Sequence, residues 1–299
     1  MLSILIPVYN YNITKLVNDL HQQCENAEIV YEIVCFDDGS SDNFKKENQT
    51  IQKLENLVYH ELPQNLGRSK IRNELGKAAK FDYLLFMDCD SQTVSENYIK
   101  NYIEKLDPSC LLYGGRVYQP NPPEKEFYFH WFYGTQREQI PVEKRKIQPY
   151  HSFMTNNFLI PKSIFLKFPF DENLTQYGHE DTLFGLQLKE ANIRIIHINN
   201  PLEHEGLETT DSFLHKTKQG IENLLFLSKE YKLIDTKLLR TYKNIKNWKL
   251  SFLINIVFQL SKKSLLKNFH SSSVNLKLFD FYKLGLLIDA DRKNNAFLK

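Results

Sequence analysis

Two aspartates, Asp88 and Asp90, follow the apolar run Phe81–Met87 and are separated by a single cysteine. Carboxylates this close together repel each other, and burying them costs desolvation energy unless a positive charge neutralises them. A divalent cation would supply that charge, because Mg²⁺ and Mn²⁺ bind carboxylate oxygens well. A solvent-exposed turn would also tolerate the pair, since aspartate is common in turns. On these residues alone, both interpretations stand.

The runs around these acids predict strands that alternate with helices. Apolar segments typical of buried strands are separated by segments with helical spacing. The predicted strands are 3–8, 29–36, 57–62, 81–87, 111–117, 158–160 and 194–198, and the predicted helices are 14–23, 43–54, 69–80, 162–168 and 181–191. This alternation predicts an α/β fold whose mostly parallel sheet carries helices on both faces.

A second acidic pair, Asp37 and Asp38, follows the predicted strand 29–36. In parallel sheets of this kind, ligands bind beyond the carboxyl ends of the strands. Because both acidic pairs stand at such ends, the cation or nucleotide interpretation gains over the surface turn.

Composition favours an ordered globular chain. Its 299 residues are 42% hydrophobic and 25% charged, which suggests one large domain or a domain with an appendage. Four cysteines without a CxxC pair predict small buried thiols in a reducing compartment. The N-terminus has no leader pattern, and no run approaches the roughly 18 apolar residues of a membrane span. We therefore expect a cytoplasmic protein.

Charge is distributed unevenly, although the net charge is only +2. Residues 1–210 carry 21 Lys and Arg against 29 Asp and Glu, whereas residues 211–299 carry 17 against 7. The second segment has a nearly all-helical pattern and predicts a basic amphipathic extension. Its helices either pack on the sheet with solvated lysines or hold the chain on the inner face of an anionic membrane. We predict no nucleic-acid partner.

Several motifs occur in an order and spacing that resembles the family 2 glycosyltransferases of the GT-A fold. They are SILIPVYN (3–10), CFDDGSSD (35–42), NLGRSKIRNELGKAA (65–79), FMDCD (86–90), TNNFLIPKSIF (155–165), GHEDTLFGLQLKEANIRI (178–195) and HEGLE (204–208). The resemblance covers about residues 1–210. It implies a metal-dependent, inverting transfer of one sugar from a nucleoside-diphosphate sugar to a glycan or lipid-linked acceptor in surface polysaccharide synthesis.

The resemblance also implies a domain organisation. Residues 1–210 form the catalytic domain, with a nucleotide-binding half at 1–117 and an acceptor-side half at 118–210, and residues 211–299 follow as the helical extension. The helical QxxRW element and the membrane helices of processive members are absent from the sequence. We therefore expect one sugar to be added per encounter.

The resemblance implies a set of metal ligands. Asp88 and Asp90 match the DxD motif of the family, in which the last aspartate contacts Mn²⁺ or Mg²⁺ and the first lies toward the ribose or binds through water. His204 matches a histidine that some members supply as a further ligand. A cation here would stabilise the charge that develops on the departing diphosphate.

Further residues are implied around the nucleotide. Asp38 matches the aspartate that accepts the imide N–H of uracil, an imide that thymine shares, so a UDP sugar is expected and a dTDP sugar is the rival. The other residues implied on the donor side are Pro7, Tyr9, Asp37, Arg72, Asn73 and Asp88. Without the resemblance, Asp37 could equally be a turn residue that caps the following helix. Arg72 could equally lie on a solvated helix face.

Glu180 and Asp181 match the ED motif of the family at the start of a helix. Inverting transfer needs one base to take the proton of the acceptor hydroxyl. The resemblance assigns that base to Asp181 and gives Glu180 a role in orienting the acceptor or bracing the loop. The alternative is that both acids have no catalytic role and lie at the start of the helix because its positive dipole end stabilises acidic side chains.

Fewer residues of the sequence mark an acceptor site. Segment 130–138, HWFYGTQRE, resembles an acceptor-side element of soluble bacterial relatives, and Trp131 or Tyr133 would stack on a sugar face. His179 is a further candidate for contact with acceptor or phosphate. The surrounding residues 118–150 predict either a packed surface helix or a binding lid.

Two other classes of function stay open. A sugar-phosphate nucleotidyltransferase also uses an α/β sheet with metal-binding acids, but PVYNYN stands here where that class has a basic, glycine-rich loop. A non-catalytic binding module of the same fold is disfavoured because Asp88, Asp90, Asp181 and His204 are all intact.

Overall fold

The computed structural model describes residues 1–174 and 178–297; residues 175–177 and 298–299, which the predicted domains include, lie outside the described residues. The chain divides into two compact units. The first comprises 1–119, 137–174 and 180–206, and the second comprises 120–136, 178–179 and 207 onward. The predicted catalytic domain thus continues a few residues past the first unit. It also includes 120–136, which the structure groups with the C-terminal helices.

Ten strands and twelve helices are described. The strands are β1 (Leu2–Val8), β2 (Tyr31–Asp37), β3 (Leu57–Glu61), β4 (Tyr83–Met87), β5 (Ser91–Thr93), β6 (Cys110–Tyr113), β7 (Arg116–Val117), β8 (Asn157–Pro161), β9 (Arg194–His197) and β10 (Leu202–His204). The helices are α1 (Thr14–Asn26), α2 (Asp42–Asn48), α3 (Arg68–Ala78), α4 (Tyr98–Ile103), α5 (Tyr128–Tyr133), α6 (Val142–Arg145), α7 (Lys162–Lys167), α8 (Glu180–Glu190), α9 (Thr210–Glu230), α10 (Lys237–Asn247), α11 (Ser251–Phe269) and α12 (Leu276–Phe297). A 3-10 turn at Gln49–Lys53 follows α2, and a π-helical turn at Gly134–Glu138 follows α5.

A seven-stranded sheet with the order β3-β2-β1-β4-β8-β6-β9 forms the centre of the first unit. Its neighbours pair in parallel except for β8, which runs antiparallel to both β4 and β6. The predicted α/β class with a mostly parallel sheet is confirmed. The strands are continuous apolar runs because both faces are covered, as β1 shows, where Ile4 and Leu5 point to opposite cores and are both fully buried.

The predicted strand 111–117 is wrong as a single strand. It breaks after Tyr113 into β6 and β7 at two adjacent glycines. A Cβ on Gly114 would lie 2.3 Å from the carbonyl oxygen of Asn200, and Gly115 has a φ of +101°, which disfavours any other residue. The chain can therefore turn sharply here and leave the large sheet.

A second, three-stranded sheet begins at this turn. Its order is β5-β10-β7, with β10 antiparallel to β5 and parallel to β7. None of its two- or three-residue strands was predicted as such, because they are too short to show an apolar alternation. The register pairs His204 with Ser91, which places the histidine beside the loop that follows β4.

The second unit is helical, as predicted for the C-terminal segment. Its core is aromatic: Phe129 of α5 stacks on Phe269 at 5.1 Å and meets Phe279 edge-on at 4.9 Å. Phe129 is fully buried, which fits the packed-helix alternative at α5, within 118–150. No helix among the described residues is both long enough and apolar enough to cross a bilayer.

Candidate active site

Asp88 lies directly after β4, where two arginines hold its carboxylate. Arg72 Nη2 donates to Asp88 Oδ1 at 2.6 Å, and Arg116 Nη2 donates to Asp88 Oδ2 at 3.4 Å. Arg72 is 4% exposed, so a solvated helix face does not describe it. Arg116 also donates through Nη1 to Glu138 Oε2 at 3.1 Å. Asp88 is therefore held between two positive charges that compensate its own.

Arg116 is a residue that the sequence interpretation missed. It lies in the C-terminal part of the predicted strand 111–117, where nothing marks it as part of a site. The glycine break before β7 directs it to Asp88. Burial alone would lower the pKa of the Arg116 guanidinium, but the surrounding acidic groups of Tyr118, Glu138 and Asp88 raise it well above its usual value. Arg116 is thus a permanent buried charge beside the acids.

Asp90 and His204 form a second polar pair. Asp90 Oδ1 lies 3.5 Å from His204 Nδ1, which is long for a hydrogen bond. Asp90 Oδ1 is buried and accepts no hydrogen bond within the described part of the chain. Burial alone would raise the pKa of Asp90, but its interactions with the His204 ring and with the guanidinium of Arg116 hold that pKa below its usual range. Asp90 is therefore ionised, with one oxygen left for a ligand.

The structure brings two of the three predicted metal ligands together. Asp90 and His204 supply a carboxylate oxygen and an imidazole nitrogen, which suit Mn²⁺. Asp88 does not join them, because both of its oxygens face arginines. Within 1–174 and 178–297, no three His, Cys, Asp or Glu side chains form a group that could hold a metal ion by themselves. A cation here would need further ligands from a bound molecule.

Gly206 covers the carboxylate of Asp90. A Cβ on Gly206 would lie 2.2 Å from Asp90 Oδ2, closer than any side-chain carbon approaches an oxygen. Glu205 N donates to the carbonyl oxygen of Asp90 at 2.8 Å and fixes the same turn. The segment after β10 therefore requires glycine at this place. The sequence interpretation gave Gly206 no role, although it stands inside the HEGLE motif.

Asp37 braces the end of β2. It is fully buried, with Oδ1 accepting from Ser40 N at 2.7 Å and Oδ2 accepting from the Tyr59 hydroxyl at 2.8 Å. Each of its oxygens accepts one hydrogen bond inside the protein, and no part of the residue is exposed to a ligand. These contacts resemble the turn-capping alternative more than a contact with a nucleotide.

Asp38 joins β2 to the segment before α3. Its Oδ1 accepts from Leu66 N at 2.6 Å, and its Oδ2 accepts from Gly67 N at 3.2 Å. Burial raises the pKa of Asp38, while the two amide donors oppose that rise. A carboxylate has about four acceptor positions, so each oxygen keeps a lone pair for a further donor.

Asn73 clamps the loop after α7. Its Nδ2 donates to Phe170 O and to Glu172 Oε1, both at 2.9 Å, and its Oδ1 accepts from Phe170 N at 2.9 Å. Both amide protons are used in this way, so these hydrogen bonds give Asn73 a structural role and include no donor left for a nucleotide.

Pro7 and Tyr9 stand at the carboxyl end of the sheet. Pro7 pairs with Phe36 in the register of β1 with β2. Tyr9 follows β1 and is 53% exposed, so its ring is accessible to a ligand. Asp38 N donates to Val8 O at 2.7 Å, so this end of β1 lies beside the end of β2. The contact of Pro7 and Tyr9 with a nucleotide stays a prediction.

Glu180 and Asp181 begin α8 and have opposite electrostatic environments. Arg68 Nη1 donates to Glu180 Oε1 at 3.3 Å. Burial would raise the pKa of Glu180, but the charges of Arg68 and Arg72 outweigh it and lower that pKa. Burial and the charge of Glu180 raise the pKa of Asp181 to about 7. Two neighbouring carboxyls with pKa values pushed apart are a pattern found in acid–base catalysis.

The predicted acceptor residues all belong to the second unit. Tyr133 packs against the rings of Phe213 at 5.3 Å and Phe279 at 5.5 Å, while Trp131 lies 5.6 Å from the ring of Tyr128. Both are half-buried. His179 adopts a left-handed backbone conformation with a φ of +72°. The ring contacts of Trp131 and Tyr133 are packing contacts within the second unit. The assignment of Trp131, Tyr133 and His179 to acceptor binding stays a prediction.

Comparison with known proteins adds a family and a fold. The sequence matches glycosyl transferase family 2 over residues 3–170, more than half of the chain. A poly(ribitol-phosphate) beta-glucosyltransferase of Bacillus spizizenii is 39% identical over 105 residues, which are 34% of this chain. The chain spans only 16% of the length of that relative.

Two solved structures are similar over nearly the whole chain. The mannosyltransferase PcManGT from Pyrobaculum calidifontis, in complex with GDP-Man and Mn²⁺, has a TM-score of 0.59 at 13% identity, covering 100% of this chain and 87% of its own. S. aureus TarS 1-349, in complex with UDP-GlcNAc, has a TM-score of 0.50 at 17% identity, covering 97% and 89%. At such identities the likeness concerns the fold, and it confirms the predicted GT-A fold.

Proposed function

Because the chain belongs to glycosyl transferase family 2, we propose that it transfers one sugar, with inversion, from a UDP sugar to a hydroxyl of a glycan or lipid-linked acceptor in surface polysaccharide synthesis. The similar proteins support a nucleoside-diphosphate sugar as the donor: TarS is in complex with UDP-GlcNAc and PcManGT with GDP-Man. The relative named for a poly(ribitol-phosphate) polymer supports a surface glycan as the product. The four thiols are all free, which suits a cytoplasmic reaction.

The observation that carries the proposal is the buried Oδ1 of Asp90, which accepts no hydrogen bond from the described residues. A buried ionised oxygen is expensive unless a ligand satisfies it. Asp90 and His204 would hold Mn²⁺ or Mg²⁺ together with oxygens of the donor diphosphate. When bound, such a cation stabilises negative charge on the leaving group.

The arginines of the site perform a second task. Arg72 and Arg116 fix Asp88 at the end of β4, and Arg68 lies beside Glu180. Guanidinium groups suit an anionic ligand such as a diphosphate. The side chains of Arg72 and Arg116, which are at most 11% exposed, are held by ion pairs with Asp88, so they are in place before the donor arrives.

Asp181 is the base of the proposed reaction. Thr182 donates to Asp181 Oδ1 from its backbone N–H at 2.6 Å and from its hydroxyl at 3.3 Å. Oδ2 is therefore the oxygen that takes the proton of the acceptor hydroxyl. The neighbouring Glu180 stays ionised beside Arg68, and its charge makes Asp181 a stronger base than an ordinary aspartate.

Asp38 is the residue that we assign to recognition of a uracil or thymine base. Its carboxylate keeps acceptor capacity after binding two backbone amides, and the imide N–H of either base is a suitable donor. Thermal-shift titration with UDP, dTDP, GDP and CDP tests this choice, because a ligand that binds the folded state raises its stability. We expect UDP to stabilise most; preferential stabilisation by GDP would contradict the pyrimidine assignment.

Nucleotide release with Mn²⁺ tests the class of reaction. The proposal predicts UDP from a UDP sugar, slowly with water and faster with acceptor. Pyrophosphate from UTP and a sugar phosphate would indicate nucleotidyl transfer instead. Absence of both products would indicate a binding module.

Asp181→Asn tests the base directly. We expect turnover with acceptor to fall by about 10²–10⁴-fold, the usual worth of a positioned base. The UDP-induced thermal shift should stay close to that of the wild type, because Asp181 is assigned to the acceptor. A product that keeps the anomeric configuration of the donor would contradict the single displacement.

A further inference from the structure

The second unit exposes a row of large apolar side chains to solvent. They lie on α11 and on the turn before it, and we call them the outer face of α11. The outer face consists of Trp248, Phe252, Leu253, Ile256, Val257 and Leu260, which are 70%, 64%, 58%, 39%, 47% and 82% exposed. Positions 252, 253, 256, 257 and 260 recur at helical spacing, so they share one side of the helix.

The opposite side of α11 is already packed. Phe258, Leu265 and Phe269 are at most 4% exposed. Gly285 lets α12 approach closely, since a Cβ there would lie 2.2 Å from the ring of Phe258. The helix is therefore held in its unit by one side, and the outer face is not needed for that core. Exposed apolar rows of this kind mark interaction surfaces.

Basic residues lie beside the outer face. Residues 236–299 carry 13 Lys and Arg against 3 Asp, so the whole positive excess of the C-terminal region lies in this part. Lys263 and Lys267 continue the same side of α11 and are exposed. The guanidinium of Arg292 lies 5.5 Å from the ring centre of Phe252. Two acids of α12 are themselves paired: Asp289 accepts from Gln259 at 3.1 Å and lies 2.8 Å from Lys293, and Asp291 lies 3.1 Å from Lys246.

We propose that the outer face of α11 docks on the surface of an anionic lipid bilayer. An apolar row with basic residues around it is the pattern of a helix that lies in the membrane interface. Lysines beside it would extend their charged ends to lipid phosphates while their stems cover apolar surface. Trp248 at the edge suits the boundary between headgroups and acyl chains.

Charge argues for a bilayer over a second copy of the chain. A two-fold dimer through this face would bring the same basic surface against itself. An anionic membrane complements that charge instead. The proposal is independent of the proposed function, because none of its residues belongs to the candidate active site.

Co-sedimentation of the full chain with vesicles tests the proposal. The probes are phosphatidylcholine vesicles with and without phosphatidylglycerol. We expect binding to the anionic vesicles only, and a decrease as the ionic strength rises from about 0.05 M to about 0.5 M and shortens the Debye length. Absence of binding to both vesicles at low salt, or equal binding to both, overturns the proposal.

Variants separate the apolar and basic contributions. Leu253→Gln with Leu260→Gln should abolish binding, and Lys263→Gln with Lys267→Gln should weaken it about fivefold per lysine. Leu166→Gln is the matched control, because Leu166 is 49% exposed in the first unit and should leave binding unchanged.

Two further measurements serve as controls for these variants. Thermal unfolding and UDP release with water should be the same in all variants, since the substituted side chains are exposed. Sedimentation velocity without lipid should show a monomer at every concentration. A dimer that Leu260→Gln dissociates would assign the outer face to a second copy of the chain and overturn the membrane proposal.

Discussion

Each unit contains one departure from ordinary burial on which a proposal rests. The first unit hides a polar atom that accepts no hydrogen bond from the described residues, Asp90 Oδ1. The second unit exposes large apolar side chains, with Leu260 82% exposed. Folded proteins normally pair their buried polar groups and do not expose apolar rows. We propose a different partner for each departure: a cation with an anionic donor for the first unit, and an anionic lipid surface for the second.

The comparison also shows that residues of the same chemical type differ in how the surrounding protein satisfies or covers them. Asp37 and Asp90 are both aspartates near strand ends. Both oxygens of Asp37 are satisfied by protein donors, whereas Asp90 keeps one oxygen open. Phe258 and Leu260 are apolar neighbours on one helix, but only Phe258 is buried. Substitutions test whether the surroundings of these side chains determine their roles.

The largest contrast is expected within α11. Phe258→Ala removes a fully buried ring and should lower the free energy of unfolding by about 3–5 kcal/mol. Leu260→Gln should change it by less than about 0.5 kcal/mol, because the side chain is already in water. Urea denaturation of both variants measures the difference. Similar losses for the two would mean that the outer face of α11 contributes to a core.

Gly206→Ala is expected to act on the first unit alone. The added methyl group would collide with the Asp90 carboxylate and displace it. Displacing a catalytic group by about 1 Å typically costs on the order of 10²-fold in rate. UDP release should fall by that order. The vesicle binding of the variant should equal that of the wild type, so a loss of both properties would count against two separate surfaces.

The smallest effect concerns pH. Asp181 must be deprotonated to act as the base, and its pKa is raised to about 7. The value of kcat/KM for transfer should therefore increase about tenfold per pH unit below pH 7 and level off above it. The residual kcat/KM of the Asp181→Asn variant should not show this increase with pH. A wild-type profile that is flat between pH 5 and pH 7 would exclude Asp181 as the titrating base.

Much of the first unit could be predicted from the sequence, because its strands are long apolar runs and its acids follow them directly. What could not be predicted depends on backbone geometry. The break at Gly114 and Gly115 needs knowledge of the Asn200 carbonyl packed against it, and that break is what sends Arg116 to Asp88. Spacing along the chain carries no sign of this contact.

The sequence interpretation was least informative where a side chain has two plausible partners. Asn73 fits a motif near the nucleotide, but its amide binds the backbone of Phe170. Apolar residues of the segment 247–269 fall on more than one side of the helix, so its pattern does not tell the buried side of α11 from the exposed one. The close approach at Gly285 decides it by bringing α12 to Phe258.

The central claim is that Asp90 is the cation ligand of a donor site, and Asp90→Asn tests it most directly. The substitution keeps the shape of the side chain and removes its charge. Glu190→Gln at the exposed end of α8 is the matched control. The measurement is UDP release from a UDP sugar over a titration of Mn²⁺, with thermal unfolding to confirm the fold. We expect Asp90→Asn to lose about 10²–10³-fold in rate and its dependence on Mn²⁺, while Glu190→Gln matches the wild type. An Asp90→Asn enzyme that releases UDP at the wild-type rate and with the wild-type Mn²⁺ dependence would contradict the account.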